Sequence, residues 1–247
     1  MYNKALVISD NPHMAISFKE ISDELDLPVS LSFSISPFSN PDDFQQLDEI
    51  MVFDLKKHED VDTIMSTFDL VFSIHCKQFF PEHLVSGVKC INVHPGFNPH
   101  NRGWYPQVFS IIENNILGAT IHEIDNELDN GNIIARKQVE LFDYDTSLTA
   151  YNKVLEAEKE LLLQNLPNIV NNNYDTIKPE IKGELKLKKD FNNLLEIDLN
   201  KKVTYREVIN HLRALNHGEY LNAYYMGDNG KKVYLKLDLF TKEEDNE

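Results

Sequence analysis

The chain has 247 residues, 42% of them hydrophobic and 10% aromatic, which is enough for one large core or for a medium domain with a small appendage. A formal net charge of −16 repels phosphate backbones and disfavours bulk nucleic-acid binding. No apolar run reaches the length of a membrane span and the N-terminus is unlike a signal peptide, so we expect a cytoplasmic protein without a membrane partner. The two cysteines, Cys76 and Cys90, do not suggest a disulfide scaffold.

The first half of the sequence alternates short apolar runs with amphipathic segments. "KALVIS" predicts a buried strand, and the following segment predicts a helix that Asn11 can cap and Pro12 can begin. "VSLSFSIS" alternates apolar residues with serines, as a strand with one polar face does. "DLVFSIH" and "KCINVH" predict strands, and "DVDTIMSTF", "PEHLVSG" and "YPQVFSIIENN" predict helices. The alternation predicts an α/β fold: a Rossmann-like, mostly parallel sheet with helices on both faces.

The second half of the sequence follows a different pattern. "GATIHEI" and "GNIIARKQVEL" predict a hairpin added to the sheet, and a long amphipathic helix follows. We place a boundary near Asn171, between a catalytic domain (1–170) and a small C-terminal extension (171–247) with a helix and a hairpin turned at "GDNG". The apolar residues of this extension need a partner surface, which predicts a homodimer, although packing within the same chain would also cover them.

Polar residues follow several of the predicted strands. Ligands of open parallel sheets bind at the carboxyl ends of the strands. Asn92 and His94 of "NVH" are two positions apart, so their side chains point to the same face of a strand. There His94 can exchange protons and Asn92 can donate to a developing oxyanion. A strand-end histidine with only structural hydrogen bonds explains the spacing equally well.

Two other kinds of site can be weighed against this pair. The possible metal ligands His75, Cys76, Cys90, His94 and His100 form no recognised pair at a fixed short spacing, so we predict no metal. A cysteine nucleophile with a histidine base is also disfavoured, because His75 and Cys76 are adjacent and point oppositely on a strand.

The loop "IDNELDNG" contains three carboxylates, Asp125, Glu127 and Asp129. It can be an ordinary acidic hairpin turn, with Asn-Gly as the turn residues. Alternatively, one carboxylate orients the histidine and favours its charged form. Spacing alone does not choose among the three.

"NVHPGFNPHNRGW", followed by "GATIHEIDNELDNGNIIARKQV", resembles the folate-dependent formyltransferase family. The resemblance is strong over Leu70–Val139 and weak over the first strand and helix. The family's catalytic residues fall on Asn92, His94 and Asp129. The resemblance implies that a formyl group passes from N10-formyltetrahydrofolate to an amine of the substrate, which explains the missing nucleophile. Asn92 would stabilise the oxyanion, and His94, oriented by Asp129, would take up the amine proton.

The loop "GFNPHNRGW" replaces the family's usual Ser-Leu-Leu-Pro-like sequence. With "HCKQFFP" and "LNHGEYLNAYY" it resembles the branch that formylates amino sugars carried on dTDP. The implied substrate is dTDP-4-amino-4,6-dideoxyglucose, whose product would enter O-antigen or another surface polysaccharide. The resemblance implies pyrophosphate contacts from His75 and Lys77, stacking of Tyr220 on thymine, and further contacts from Asn11 and Trp104.

The resemblance places the folate near Phe80 and Pro81 and near Asp125 and Glu127, largely through backbone contacts. The acidic chain lacks a cationic C-terminal domain for RNA, which argues against a tRNA formylase. The loop after the first strand has no glycine, which argues against a purine-pathway formylase. A formyltetrahydrofolate hydrolase and a non-catalytic nucleotide-sugar binding protein remain alternatives.

Overall fold

A computed structural model describes residues 1–242. Its strands are β1 (Lys4–Ser9), β2 (Ser30–Ile35), β3 (Ile50–Val52), β4 (Leu70–Ile74), β5 (Lys89–His94), β6 (Arg102–Gly103), β7 (Leu117–Glu123), β8 (Ile133–Val139), β9 (Leu185–Lys186), β10 (Tyr224–Met226) and β11 (Lys232–Tyr234). Its α-helices are α1 (Pro12–Glu24), α2 (His58–Thr67), α3 (Glu82–Gly87), α4 (Pro106–Glu113), α5 (Ser147–Val170), α6 (Lys188–Asn192) and α7 (Tyr205–Leu215). A short 3₁₀ helix spans Pro41–Phe44.

Seven strands form the central sheet in the order β3-β2-β1-β4-β5-β7-β8. The first five are parallel, while β7 runs antiparallel to β5 and β8 antiparallel to β7. The order reverses direction between β1 and β4, which creates the crevice where open α/β sheets bind ligands. The predicted parallel sheet with an added hairpin is confirmed.

Both faces of the sheet are covered, which explains why its strands read as continuous apolar runs. In β1, Ala5 and Val7 belong to one hydrophobic cluster, and Leu6 and Ile8 belong to another on the opposite face. All four side chains are fully buried. The serine face of β2 also becomes buried towards its end, where Ser34 has only 1% of its surface exposed.

Local capping explains where the two longest predicted helices begin. The Asn11 side chain accepts a hydrogen bond from the Met14 amide at the start of α1, and Pro12 occupies its first turn, as predicted. Thr146 caps the 24-residue helix α5 through reciprocal hydrogen bonds with Thr149. No helix within residues 1–242 is both long and apolar enough to cross a bilayer.

The C-terminal segment packs on the catalytic part of the chain. Helix α7 contacts α4 and α5, and Ala214, Leu215 and Ala223 lie in the same hydrophobic cluster as β1 and β5. The predicted helix and hairpin are present as α7 and the β10–β11 pair. This segment shares its core with the sheet. The division of the chain into two domains at residue 170 remains a prediction.

Candidate active site

A cavity of about 770 Å³ opens at the carboxyl ends of β1, β4 and β5. We refer to it as the main cavity. Asp10 follows β1, His75 follows β4 and His94 ends β5, and all three line it. Asp129 also lines it, as does Tyr220 from the C-terminal segment. The cavity therefore lies where the sheet topology favours ligand binding.

Asn92, His94 and Asp129 meet at the wall of this cavity. Asn92 Nδ2 donates to Asp129 Oδ1 at 3.0 Å, and His94 Nδ1 lies 3.7 Å from Asp129 Oδ2. His94 Nε2 lies 2.7 Å from the carbonyl oxygen of Asn101. Because a carbonyl only accepts, Nε2 carries a hydrogen and Nδ1 is the nitrogen that can take up a proton beside Asp129.

The backbone around Asp129 is held in an unusual conformation. Asp129 has a φ of 49°, in the left-handed region, and its Oδ2 accepts from the Gly103 amide at 2.9 Å. The buried Arg102 guanidinium donates to the Leu128 carbonyl through Nη2 at 2.7 Å and Nε at 3.1 Å. Asn98 Nδ2 donates to the Asp129 carbonyl at 3.1 Å. The "GFNPHNRGW" loop thus holds Asp129 through one contact with its carboxylate and through contacts with the backbone carbonyls of residues 128 and 129.

The environment of Asp129 keeps it ionised. Burial of the carboxyl acts to raise its pKa, but the neighbouring His94 and His122 imidazoles and the hydrogen bond from the Gly103 amide outweigh burial. The pKa of Asp129 therefore lies well below its usual value of 3.8. An ionised carboxylate can stabilise an imidazolium at His94.

His122 is a site residue that sequence reasoning missed. Its Nε2 lies 3.2 Å from Asn92 Nδ2 and 3.6 Å from Asp129 Oδ1, and its Nδ1 donates to the Glu123 carbonyl at 2.7 Å. With Nδ1 donating to that carbonyl, Nε2 is the ring nitrogen that faces the Asn92 amide and the Asp129 carboxylate. The signal was the pairing of β5 with β7, whose register puts Asn92 opposite His122.

Two family models match this chain. The Formyl transferase model covers residues 53–166, and the N-formyltransferase dimerization C-terminal domain covers residues 190–242. The dTDP-4-amino-4,6-dideoxyglucose formyltransferase of Mycobacterium tuberculosis is 46% identical over 181 residues, 73% of this chain and 77% of that protein. The chain belongs to the formyltransferase family.

Solved structures agree with this formyltransferase in fold as well as in sequence. A sugar N-formyltransferase from Shewanella has a TM-score of 0.94 and 38% identity, covering 98% of this chain and 99% of its own. A 4-N formyltransferase from Francisella tularensis has a TM-score of 0.92 and 40% identity, covering 97% of this chain and 99% of its own. The predicted formyltransferase fold with a small C-terminal extension is confirmed.

The five residues expected to bind substrate all line the main cavity of the formyltransferase: Asn11, His75, Lys77, Trp104 and Tyr220. Tyr220 is 69% exposed, so its ring is accessible for stacking against a ligand. Asn11 both caps α1 and donates through Nδ2 to the Tyr151 hydroxyl at 3.1 Å. The contacts of these residues with substrate remain predictions.

His75 is held by protein groups on both ring nitrogens. Its Nε2 lies 2.8 Å from Glu158 Oε2, and its Nδ1 lies 3.1 Å from the Tyr151 hydroxyl. Glu158 is completely buried, and burial together with the charge of Glu158 raises the pKa of Tyr151. This cluster was hard to predict, because Glu158 lies among the charged residues of "LEAEKE" in α5.

Asp10 links the loops that follow β1, β2 and β4. Its Oδ1 accepts from the amide and hydroxyl of Ser36, at 3.0 and 2.6 Å, and from the Ser39 hydroxyl at 2.7 Å. Its Oδ2 accepts from the Lys77 amide at 2.6 Å. This carboxylate therefore positions the backbone of the expected pyrophosphate-binding residue Lys77.

The residues expected near folate fall on two neighbouring cavities. Phe80, Asp125 and Glu127 line the main cavity, whereas Pro81 lines an adjoining one. The Glu127 carboxylate also pairs with Lys182, at 2.7 Å. Folate binding by these residues remains a prediction.

The two cysteines are poor nucleophiles in this environment. Burial is the main cause that raises the pKa of both Cys76 and Cys90 to about 12, so both are thiols near neutral pH. Within residues 1–242, no three His, Cys, Asp or Glu side chains are grouped as a metal site requires.

Proposed function

We propose that this formyltransferase transfers the formyl group of N10-formyltetrahydrofolate to the 4-amino group of dTDP-4-amino-4,6-dideoxyglucose. The observation that carries the proposal is the Asn92–His94–Asp129 cluster at the main cavity, in a chain so similar to a mycobacterial enzyme of that specificity. The cluster supplies a proton acceptor, an amide donor and a carboxylate, which suffice when the attacking amine belongs to the substrate.

In the proposed mechanism, the sugar amine attacks the formyl carbon and a C–N bond forms. The formyl oxygen becomes an oxyanion, to which an Asn92 N–H donates. His94 Nδ1 takes the amine proton, and ionised Asp129 stabilises the resulting imidazolium. The bond from the formyl carbon to N10 then breaks, and the proton passes to N10 to give tetrahydrofolate.

The amide of Asn92 is already engaged before substrate binds. One hydrogen points to Asp129 at 3.0 Å, and the other to His122 at 3.2 Å. An oxyanion would replace the longer contact, the one with His122. A charged oxygen acceptor forms a stronger hydrogen bond with the Asn92 amide than an imidazole nitrogen does. His122 thus orients the Asn92 amide before the oxyanion forms.

Substrate recognition follows the same division of the cavity. Around the dTDP-sugar we assign Asn11, His75, Lys77, Trp104 and Tyr220, and around the folate Phe80, Pro81, Asp125 and Glu127. Tyr220 offers an exposed aromatic face to thymine, and Lys77 a positive charge to the pyrophosphate. Both ring nitrogens of His75 already contact protein groups, so His75 would line the substrate site as a fixed side chain rather than as a free hydrogen-bond donor.

We also propose a homodimer formed through the C-terminal segment. The segment matches a dimerisation model, and it leaves Val208, Ile209, Leu221 and Met226 between 40% and 56% exposed. Apolar groups of this kind are normally covered in an obligate interface. The cytoplasmic location and a role of the product in O-antigen synthesis stay predictions.

A panel of dTDP-3-amino and dTDP-4-amino sugars tests the assignment. Each sugar is incubated with N10-formyltetrahydrofolate, and the nucleotide-sugar product is weighed by mass spectrometry. We expect a gain of one formyl group with the 4-amino sugar. Release of formate without a change in the sugar would instead identify a formyltetrahydrofolate hydrolase.

A further inference from the structure

A second cavity, of about 520 Å³, adjoins the main one; we refer to it as the side cavity. The two cavities share Lys77, Gln78 and Phe79 in their walls. The segment that separates them continues into Phe80, which faces the main cavity, and Pro81, which faces the side cavity. A ligand held near this segment can therefore extend from one cavity into the other.

The side cavity is basic, although the chain as a whole carries a formal charge of −16. Lys56, His58, Lys77 and His83 line it, and no Asp or Glu is among the described residues of its wall. Two carboxylates lie close behind the wall: Asp62 Oδ1 is 3.2 Å from His83 Nε2, and Asp54 Oδ1 accepts from the Lys56 amide at 3.1 Å. Two lysines facing a single cavity attract anions. The local positive charge of this cavity is opposite in sign to the net charge of the chain.

Two aromatic side chains of the side cavity lack cover in the described chain. Phe38 is 63% exposed and Phe79 is 58% exposed, and both line its wall. Exposed aromatic rings beside lysines suit a flexible ligand with methylene groups and carboxylates better than a compact inorganic anion. A bare phosphate would leave these rings unused.

We propose that the side cavity binds the oligo-γ-glutamyl tail of the folate co-substrate. The inference rests on the proposed function, in which folate lies along Phe80 and Pro81. Folate ends in glutamate at the pole opposite its pterin, and every further γ-linked glutamate adds two methylene groups and one carboxylate. Such a tail would pass over Phe79 and place its carboxylates near Lys56 and His83, while Lys77 stays with the pyrophosphate.

The geometry favours the folate tail over the nucleotide as the occupant. Of the five residues assigned to the nucleotide, only Lys77 lines the side cavity, where it stands in the wall that the two cavities share. The sugar end of the nucleotide must also reach His94, which lines only the main cavity. A pyrophosphate in the side cavity would draw the sugar amine away from that histidine.

Steady-state kinetics with mono- and pentaglutamyl N10-formyltetrahydrofolate test the proposal. Several exposed charge contacts together should lower the KM for the pentaglutamate roughly fivefold relative to the monoglutamate. The advantage should shrink as salt is added, because exposed ion pairs are screened. In Lys56→Glu the ratio of the two KM values should fall towards one, whereas the ratio should persist in Lys178→Glu, an exposed lysine outside both cavities.

Three results would overturn the proposal: equal KM values for the two folates in the wild type, an undiminished ratio in Lys56→Glu, or a raised KM for the dTDP-sugar in that variant. The last would assign the side cavity to the nucleotide. Absence of turnover with the monoglutamate would reject the proposed function instead. Calorimetric titration of mono- and pentaglutamyl 5-formyltetrahydrofolate would then still decide whether the side cavity prefers the longer tail.

Discussion

At the scale of single residues, the site depends on which nitrogen of His94 is available. The Asn101 carbonyl holds the hydrogen on Nε2, so Nδ1 faces Asp129 and the cavity. Sequence spacing predicted that Asn92 and His94 share a face, but it could not choose among the three carboxylates of the acidic loop. The family resemblance chose Asp129, and the structure brings that carboxylate against both residues.

Replacement of the proposed proton acceptor should affect turnover far more than binding. In His94→Ala we expect kcat to fall about 10²- to 10⁴-fold, the usual contribution of a general base, while the Kd for dTDP stays near the wild-type value. His13→Ala, which removes an exposed histidine outside the main cavity, is the matched control. Retained turnover in His94→Ala would contradict the mechanism.

The lowered pKa of Asp129 links stability to pH. In the unfolded chain this carboxyl takes up its proton near 3.8, whereas the folded protein resists protonation to lower pH. The stabilisation is therefore present above the unfolded value and is lost as pH falls through and below it.

Urea unfolding of the wild type and Asp129→Asn, at fixed protein concentration between about pH 6 and pH 3, measures this linkage. We expect the wild type to lose more free energy of unfolding on acidification than the variant. Parallel pH dependences in the two proteins would show that Asp129 is not preferentially ionised in the folded state.

At the scale of elements, the central strands were predictable, because burial on both sheet faces requires runs of apolar residues in β1, β4 and β5. The three-residue β3 and the two-residue strands β6 and β9 were not. Such short segments have no measurable period, and the pairing of Arg102 with Leu185 depends on chain that is distant in sequence. His122 and Glu158 were missed for the same reason, since their partners come from other elements.

Arg102 connects one of these unpredicted strands to the site. Its guanidinium spans two carbonyls, donating to Leu128 beside Asp129 and to Lys182 before β9. A lysine offers a point charge and cannot reproduce the planar fork. We expect Arg102→Lys to lower kcat roughly tenfold to a hundredfold through displacement of Asp129, with a smaller change in the KM for the dTDP-sugar.

A purely structural role for Arg102 would instead lower the melting temperature and the fraction of active enzyme, with kcat per active site unchanged. Titration of active sites with a tight-binding folate analogue separates these outcomes. Unchanged kcat per site in Arg102→Lys would show that the contact with Leu128 does not position the catalytic carboxylate.

At the scale of the whole molecule, composition excluded bulk nucleic-acid binding but could not say what covers the C-terminal segment. One side of α7 packs into the shared core through Ala214 and Leu215, while Val208 and Ile209 remain 40% and 42% exposed. Both packing within the chain and pairing with a second copy were open from the sequence. The structure accounts for the first and leaves apolar surface for the second.

A charge in this surface should separate the protomers. We expect the wild type to behave as a dimer in light scattering at micromolar concentration, and Ile209→Asp to behave as a monomer, because an interface core does not accept an unpaired charge. Leu163→Asp on α5, where the leucine is 41% exposed, is the matched control and should stay dimeric. A monomeric wild type would contradict the proposed assembly.

We propose that this enzyme formylates the 4-amino group of a dTDP-linked dideoxyglucose with a folate donor. The most direct test is the mass and the nitrogen position of the product formed from dTDP-4-amino-4,6-dideoxyglucose and N10-formyltetrahydrofolate, with the 3-amino isomer alongside. We predict a product that carries one formyl group on the 4-nitrogen, formed together with an equal amount of tetrahydrofolate. An unchanged 4-amino sugar, or preferential formylation of the 3-amino isomer, would rule out the proposed specificity.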